Sequence, residues 1–485
     1  MIDVRPILLV IGVLLTALGL FMAAPMAADL ATGSEDWRGF ALSAAVTLFV
    51  GGGLAASNWG RGGALTVQQG FLLTVSSWVA LVAFAALPFT LGSIKLSYTD
   101  AFFEAMSGLT TTGSTVITAL DDAPKGVLLW RALLQWIGGV GVIIMAIAVF
   151  PMLQIGGMQL FRLESSDTSE KILPRANQIA GSIISLYLIL SVFCFSAYWA
   201  LGMTSFDAAA HAMTTIATGG FSTKNASFGH YLEDLAGPAD MVAVFFMIVG
   251  SLPFGLYLLA LRGKTKPLMQ DAQVRFFLIL VALFTLAMTA LVIETEGRSL
   301  AMALRLAFFN VVSIMTGTGY ATADYGLWGP FAVAFFFCVM FVGGCAGSTS
   351  CGLKIFRLQV AIAGMRLHAR RLAHPNGVFT ERYNGRPLTE DVYTSVLSFF
   401  FVYFACFATL AALLSAAGLD TLTALSAAGT SIANVGPGLG EIIGPAGTFA
   451  PLSAPVKWLL SFGMLLGRLE LFTVLVLFAP HFWRN

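Results

Sequence analysis

Four glycines, Gly113, Gly220, Gly319 and Gly436, recur at spacings of 107, 99 and 117 residues, each near the end of a short semi-polar segment. From Asp100 the chain reads D-A-F-F-E-A-M-S-G-L-T-T-T-G-S, and from Asp207 it reads D-A-A-A-H-A-M-T-T-I-A-T-G-G-F. The shared D-A-x-x-x-A-M places each glycine thirteen residues after its aspartate. In the same register, Leu306 opens L-A-F-F-N-V-V-S-I-M-T-G-T-G-Y and Thr423 opens T-A-L-S-A-A-G-T-S-I-A-N-V-G-P. Loops of this kind suit one chemistry. A monovalent cation such as K⁺ sheds its water only where rings of backbone carbonyls replace it. Turning carbonyls inward takes dihedrals that glycine tolerates and most residues do not. The candidate ion-coordinating residues are Thr111, Thr112 and Gly113; Thr218, Gly219 and Gly220; Gly317, Thr318 and Gly319; and Asn434, Val435 and Gly436. In the second loop either Gly219 or Gly220 can hold the key position.

Such loops need a frame inside a membrane. The 485-residue chain is 58% hydrophobic and 11% charged, with mean hydropathy +0.85, whereas soluble domains carry about a quarter charged residues. Charge-free stretches at 132–161 and 276–293 meet the length needed to cross a bilayer. Ten full spans are expected, at 7–24, 41–56, 71–91, 132–153, 179–201, 241–260, 276–293, 331–352, 392–416 and 458–478. The first follows Arg5 and precedes small residues, a loose fit to a cleaved leader. Its length, with a second span close behind, favours a transmembrane helix. The glycine segments are too short to cross and too apolar for ordinary loops, so they read as re-entrant half-helices.

The fold class is therefore an all-α integral membrane protein, with two N-terminal helices and four pseudo-repeats of span, half-helix, glycine loop and span around a central pore. The units run 1–66, 67–165, 166–270, 271–387 and 388–485. With the N-terminus in the cytoplasm, cytoplasmic stretches hold 17 Lys/Arg, external ones 8, and Arg468 lies within a span. That bias obeys the positive-inside rule and puts both termini in the cytoplasm. Half-helices entering from outside direct their negative ends at the membrane centre, which favours a cation there.

Two further features fall within spans. The run Gly343, Gly344, Cys345, Ala346, Gly347, Ser348, Thr349, Ser350, Cys351, Gly352 interrupts the eighth span. Each glycine costs a helix about 1 kcal/mol relative to alanine, and unwound backbone at membrane depth survives only inside protein or beside a water-filled cavity. The bland alternative is a helix-packing surface. Arg468 lies in M-L-L-G-R-L-E-L-F, and an intramembrane charge defaults to a functional role. Glu470, two residues on, does not face it on a helix.

Other classes fit poorly. The five cysteines match no zinc or redox spacing, and the five histidines are scattered, so a membrane enzyme is disfavoured. A net charge of +1 gives no sign of nucleic acid, and no covalently bound cofactor is expected. Symport of K⁺ with H⁺ or Na⁺ is the alternative to a channel, with Glu104 and Glu470 as candidate coupling acids.

The loops T-T-T-G-S-T at Thr110, A-T-G-G-F-S at Ala217, T-G-T-G-Y-A-T at Thr316 and A-N-V-G-P-G at Ala433 resemble the filters of the Trk/Ktr/HKT superfamily of K⁺ transporters. The two extra N-terminal spans are similar to TrkH-type members rather than the shorter KtrB type. The resemblance implies K⁺ uptake across a bacterial cytoplasmic (inner) membrane by a homodimer with one pore per protomer. It implies a peripheral cytosolic partner, TrkA, that binds nucleotide and regulates gating. It also implies that the 343–352 run is an intramembrane loop obstructing the pore, with Arg468 as an electrostatic barrier beside it. The basic stretch 357–386, with 162–175 and 262–275, is the expected partner-facing surface. Only the third loop carries Gly-Tyr, and the fourth has Val and Pro around its glycine, so selectivity looser than in a four-fold symmetric channel is expected.

Overall fold

The computed structural model describes residues 3–60, 65–145, 176–234 and 238–483. The end of the fourth expected span (146–153) and the basic stretch 162–175 lie outside them. Helices α1 (Arg5–Phe21) and α2 (Ala23–Thr32) form one crossing, and α3 (Trp37–Ser57) returns against it. Gly12 and Gly51 make that contact close: a Cβ on Gly51 would lie 2.7 Å from the Thr16 amide nitrogen. Small residues of this kind let membrane helices approach closely.

The rest of the chain follows a recurring order. Outer helix α4 (Val67–Ala85), continued by α5 (Leu87–Leu91), leads to half-helix α6 (Tyr98–Leu109) and inner helix α7 (Lys125–Ile144). Next come α8 (Ala176–Ala200), half-helix α9 (Ser205–Ile216), and a bent pair, α10 (Ala239–Ser251) and α11 (Phe254–Leu261). Then α12 (Ala272–Glu296), half-helix α13 (Leu300–Met315) and α14 (Pro330–Val339) precede α15 (Ile355–Ala373). Last are α16 (Glu390–Ala416), half-helix α17 (Thr421–Ala433) and α18 (Ala454–Arg468). Between α15 and α16, Arg382–Tyr383 pairs antiparallel with Arg386–Pro387 in a small hairpin.

Among the described residues, seven helices are long and apolar enough to cross a membrane, or nine if each bent pair is one span. The sequence expectation of full spans needs three corrections. The 241–260 span bends by 93°, because Pro253 lacks the N–H that would continue the helix. The 458–478 span bends by 109° after Arg468, at a turn where Glu470 (φ 60°) and Leu471 (φ 33°) take left-handed backbone. The 331–352 span is helical only to Val339, and the glycine-rich run beyond it is irregular. Phe49, Leu286 and Phe401 are strongly exposed on α3, α12 and α16, as faces turned to lipid should be.

Candidate functional site

The four half-helices start alike. Ser97, Thr204, Ser299 and Asp420 each accept, through a side-chain oxygen, the backbone N–H three residues on. Such caps satisfy helix-end donors that otherwise lack partners. The aspartates of D-A-x-x-x-A-M are thereby explained: Asp100 and Asp207 sit in the first helical turn and accept from the capping hydroxyls of Ser97 and Thr204 at 2.7 and 2.8 Å. At Asp420 the Thr423 hydroxyl and backbone N–H hold the carboxyl below its ordinary range.

They also end alike. The N–H groups of Thr112, Gly219, Thr318 and Val435 donate to the carbonyls of Ser107, Thr214, Ser313 and Thr430 at 2.8–3.1 Å. Closing that bond needs a left-handed residue just before it. Thr111 (φ 55°), Thr218 (φ 50°), Gly317 (φ 74°) and Asn434 (φ 53°) supply it. Two residues later Gly113, Gly220, Gly319 and Gly436 take φ of 90°, 79°, 81° and 112°. In the second loop Gly220 therefore holds the position matching the other three glycines.

The four loops meet in a closed ring. A Cβ on Gly113 would fall against the Gly219 carbonyl oxygen, one on Gly220 against that of Thr318, and one on Gly319 against that of Val435. A Cβ on Gly436 would lie 2.7 Å from the Thr112 carbonyl oxygen, which returns the circuit to the first loop. All twelve candidate coordinating residues are thus drawn to one place, with Thr111, Thr112, Thr218, Thr318 and Asn434 fully buried.

A second layer braces this ring, and sequence reasoning missed it. Glu104, His211 and Asn310 occupy one register position in the first three half-helices. Glu104 accepts from Thr115 Oγ1 and the Val116 N–H, at 3.0 and 2.9 Å. His211 Nε2 lies 2.9 Å from Ser222 Oγ, and Asn310 Nδ2 donates to Thr322 Oγ1 at 2.9 Å. Each fastens the strand leaving its loop. The fourth register position is Ala427, and Ser426 takes over by accepting the Leu439 N–H at 3.0 Å. The signal was present in the aligned segments as E, H and N at one column.

Arg131, which the expected span 132–153 leaves among the eight external Lys/Arg, is instead a buried residue of α7, 1% exposed. It pairs with Glu104 at 2.7 Å, donates to the Ser222 carbonyl and lies 4.0 Å from the Phe221 ring centroid. Arg305 and Lys457 likewise leave the external-loop tally, held by Asp240 (2.6 Å) and Asp100 (2.5 Å). Glu104→Gln should strand Arg131 and cost about 3–5 kcal/mol, as breaking one partner of a buried pair does. Thermal unfolding in nanodiscs measures it. A loss much smaller than for other buried pairs would mean that the pair does not brace the ring.

The 343–352 run lies directly beneath the ring. Ser350 Oγ donates to the Thr316 carbonyl at 2.6 Å, Thr218 Oγ1 lies 3.3 Å from Thr349 Oγ1, and Thr111 Oγ1 lies 3.6 Å from Cys351 Sγ. The bend at Pro253 supplies its anchor. Gly250 O accepts the Thr349 N–H, Ser251 O accepts the Cys345 N–H, and Phe254 donates to the Gly347 carbonyl, each at 2.9–3.1 Å. Ala346 N donates to Gln273 Oε1, and Gly344 N to Ser350 Oγ. Gly343 and Gly352 pack on each other, the first bonded through its N–H to the Leu353 carbonyl. Ser348 turns its hydroxyl back onto the Cys345 carbonyl.

Arg468 reaches this run from α18. Its Nη1 donates to Cys351 Sγ at 2.6 Å and to the Thr349 carbonyl at 3.4 Å, and Nη2 to the Gly138 carbonyl at 3.1 Å. Glu470 turns away and pairs with Arg357 at 2.5 Å. Close packing makes this reach possible: a Cβ on Gly138 or Gly467 would strike the carbonyl of Leu109 or Ile432, near the ends of α6 and α17.

Residues 38–485 match the family model described as TrkH, cation transport protein. The chain is 47% identical to the Trk system potassium uptake protein TrkI of Halomonas elongata, over 99% of this chain and 97% of that protein. It is 37% identical to the Trk system potassium uptake protein TrkH of Escherichia coli, over 99% of both. Its fold overlays the crystal structure of the potassium transporter TrkH from Vibrio parahaemolyticus with a TM-score of 0.92, at 35% identity over 100% of both chains. Fold and site together define a helical membrane protein of the cation-transport class. Within that class, the chain belongs to the TrkH family.

Proposed function

We propose that the chain carries K⁺ into a bacterial cell through the four-loop ring, channel-like, across the cytoplasmic membrane. The observation that carries this reading is the closed circuit in which each loop's glycine abuts the next loop's carbonyl. Four half-helices whose C-terminal ends converge there add a negative field for a cation. The names of the relatives, potassium uptake proteins and a potassium transporter, supply the ion. In this reading the helices form ten spans, two N-terminal and four repeats of two, with the eighth broken at the 343–352 run.

The 343–352 run is the gate and Arg468 the barrier, because both stand under the ring in mutual contact. A cytosolic nucleotide-binding subunit opens it, and two copies of the chain assemble as a homodimer, each with its own pore. Docking of that subunit is assigned to α15, which runs on from the loop and carries Arg366, Arg370 and Arg371 in its second half. Both termini face the cytoplasm. That orientation gains weight because Arg131, Arg305 and Lys457 are paired with acids rather than being free external charges.

Coupled symport would need an intramembrane acid free to change partner. Glu104 and Glu470 are both held in ion pairs, with Arg131 and Arg357. The deciding measurement is flux in proteoliposomes under an imposed K⁺ gradient, with internal pH recorded. Channel-like conduction gives K⁺ movement down its gradient with no proton uptake. Proton uptake at a fixed ratio to K⁺ would replace it with symport.

A further inference from the structure

Beneath the 343–352 run, cationic side chains outnumber carboxylates among the described residues. A cavity of about 30 Å³ is lined by Lys354, Arg357, Arg468 and Glu470, with Ser350, Cys351 and Tyr403 among the remaining walls. Three cations therefore face one carboxylate. That carboxylate is already engaged: Glu470 pairs with Arg357, whose guanidinium also lies 3.7 Å from the Phe399 ring centroid.

Among the described residues the other two cations meet uncharged acceptors. Lys354 Nζ donates to the Ser350 carbonyl. Arg468 spends Nη1 and Nη2 on Cys351 Sγ and on the carbonyls of Thr349 and Gly138. Among the described residues its Nε is buried and has no acceptor, in a residue only 4% exposed. The N-terminus of α15 opens at the same place, and its cap residue Lys354 contributes no capping side chain. That end adds the positive pole of a nineteen-residue helix.

Buried charge without a counter-charge is costly, and an unsatisfied donor adds to the penalty. A cavity needs roughly 10–15 Å³ to hold one water-sized occupant. This one has room for a monatomic ion. We propose that the cavity is a halide site, in which one chloride-sized anion is held by Arg468 Nε and Lys354 beside the N-terminus of α15. The site does not depend on the transport reading. One consequence does rest on it: an anion here neutralises part of the charge that Arg468 presents to a passing cation, so halide binding and gating are linked. A thiolate at Cys351, 2.6 Å from Arg468 Nη1, is the competing source of negative charge.

The test uses the full chain in nanodiscs at constant K⁺, with gluconate, chloride or bromide as the anion. Chloride and bromide should each raise Tm saturably by roughly 2–4 °C over gluconate. Crystals grown in potassium bromide should give an anomalous bromine peak within hydrogen-bond reach of Arg468 Nε. Cys351→Ser should keep the halide increment and Lys354→Met should lose it. An empty cavity in the bromide map overturns the site, even if Lys354→Met fails to fold. No halide increment in the wild type, with one appearing in Cys351→Ser, assigns the counter-charge to the thiolate and equally overturns it.

Discussion

Arg468→Ala should conduct K⁺ without any regulator, at roughly 10–100 times the wild-type closed rate, since each 1.4 kcal/mol removed from a barrier is about tenfold. In the proposed pathway a cation leaving the ring downward meets the guanidinium at the level of Thr349 and Cys351, to which it is bonded. Two like charges about 4 Å apart repel by about 4 kcal/mol at an effective dielectric constant near 20. Water in an open pore screens part of that and leaves about 1.4–2.8 kcal/mol, the tenfold to hundredfold range expected. Arg468→Lys keeps the charge and should stay near the closed rate. Shortening the 343–352 run should also raise the closed-state flux, because its hydroxyls at Ser350 and Thr349 touch the ring itself. Proteoliposome flux measured without regulator reads all three. If folded Arg468→Ala and the shortened loop both stay at the wild-type closed level, the barrier lies elsewhere.

The reach of sequence reasoning here follows from which interactions are local. Hydrophobic length locates crossings, because one helix in lipid must satisfy its own backbone. Periodic glycines locate the loops, because a left-handed backbone is a property of one residue. The same logic should have flagged left-handed backbone at Thr111 and Thr218, named above only as ion-coordinating candidates. It did not, because threonine carries no preference for that region and is held there by the end of the helix before it.

Contacts between distant segments were less legible. Arg131 reads as a loop charge until α7 is seen to begin at Lys125, six residues earlier, and to bring it against Glu104. Glu470 reads as a stray acid beside Arg468 until the chain turns by 109° and delivers it to Arg357. Pro253 was visible, yet not what its bend would do. By freeing the carbonyls of Gly250 and Ser251, it makes them the acceptors that hold the irregular run. Length, glycine and charge each mark a position, but the partner across the pore is set only by packing.

Gly220→Ala should cut the preference for K⁺ over Na⁺ by tenfold or more in a protein that still assembles. Two costs combine at this position. Its φ of 79° lies where an L side chain loses about 1–2 kcal/mol per residue. Its new Cβ would also strike the Thr318 carbonyl, with the Gly319 backbone just behind. Thr318 cannot yield freely: its N–H is bonded to the Ser313 carbonyl, and its hydroxyl lies 2.7 Å from that of Thr316. The strain therefore passes into the carbonyls that would hold a dehydrated ion, and small ion-selective rings depend on where those oxygens stand. Gly319→Ala, whose Cβ meets the Val435 carbonyl almost as closely, should behave alike, and Gly436→Ala, at 2.7 Å from the Thr112 carbonyl, should be milder. Gly255→Ala on α11 is the control, since a Cβ there meets nothing within 4 Å. Competition of Na⁺ against K⁺ or Rb⁺ flux gives the ratios. A selectivity unchanged from the Gly255→Ala control in folded Gly220→Ala and Gly319→Ala would remove the four-loop ring as the seat of ion choice.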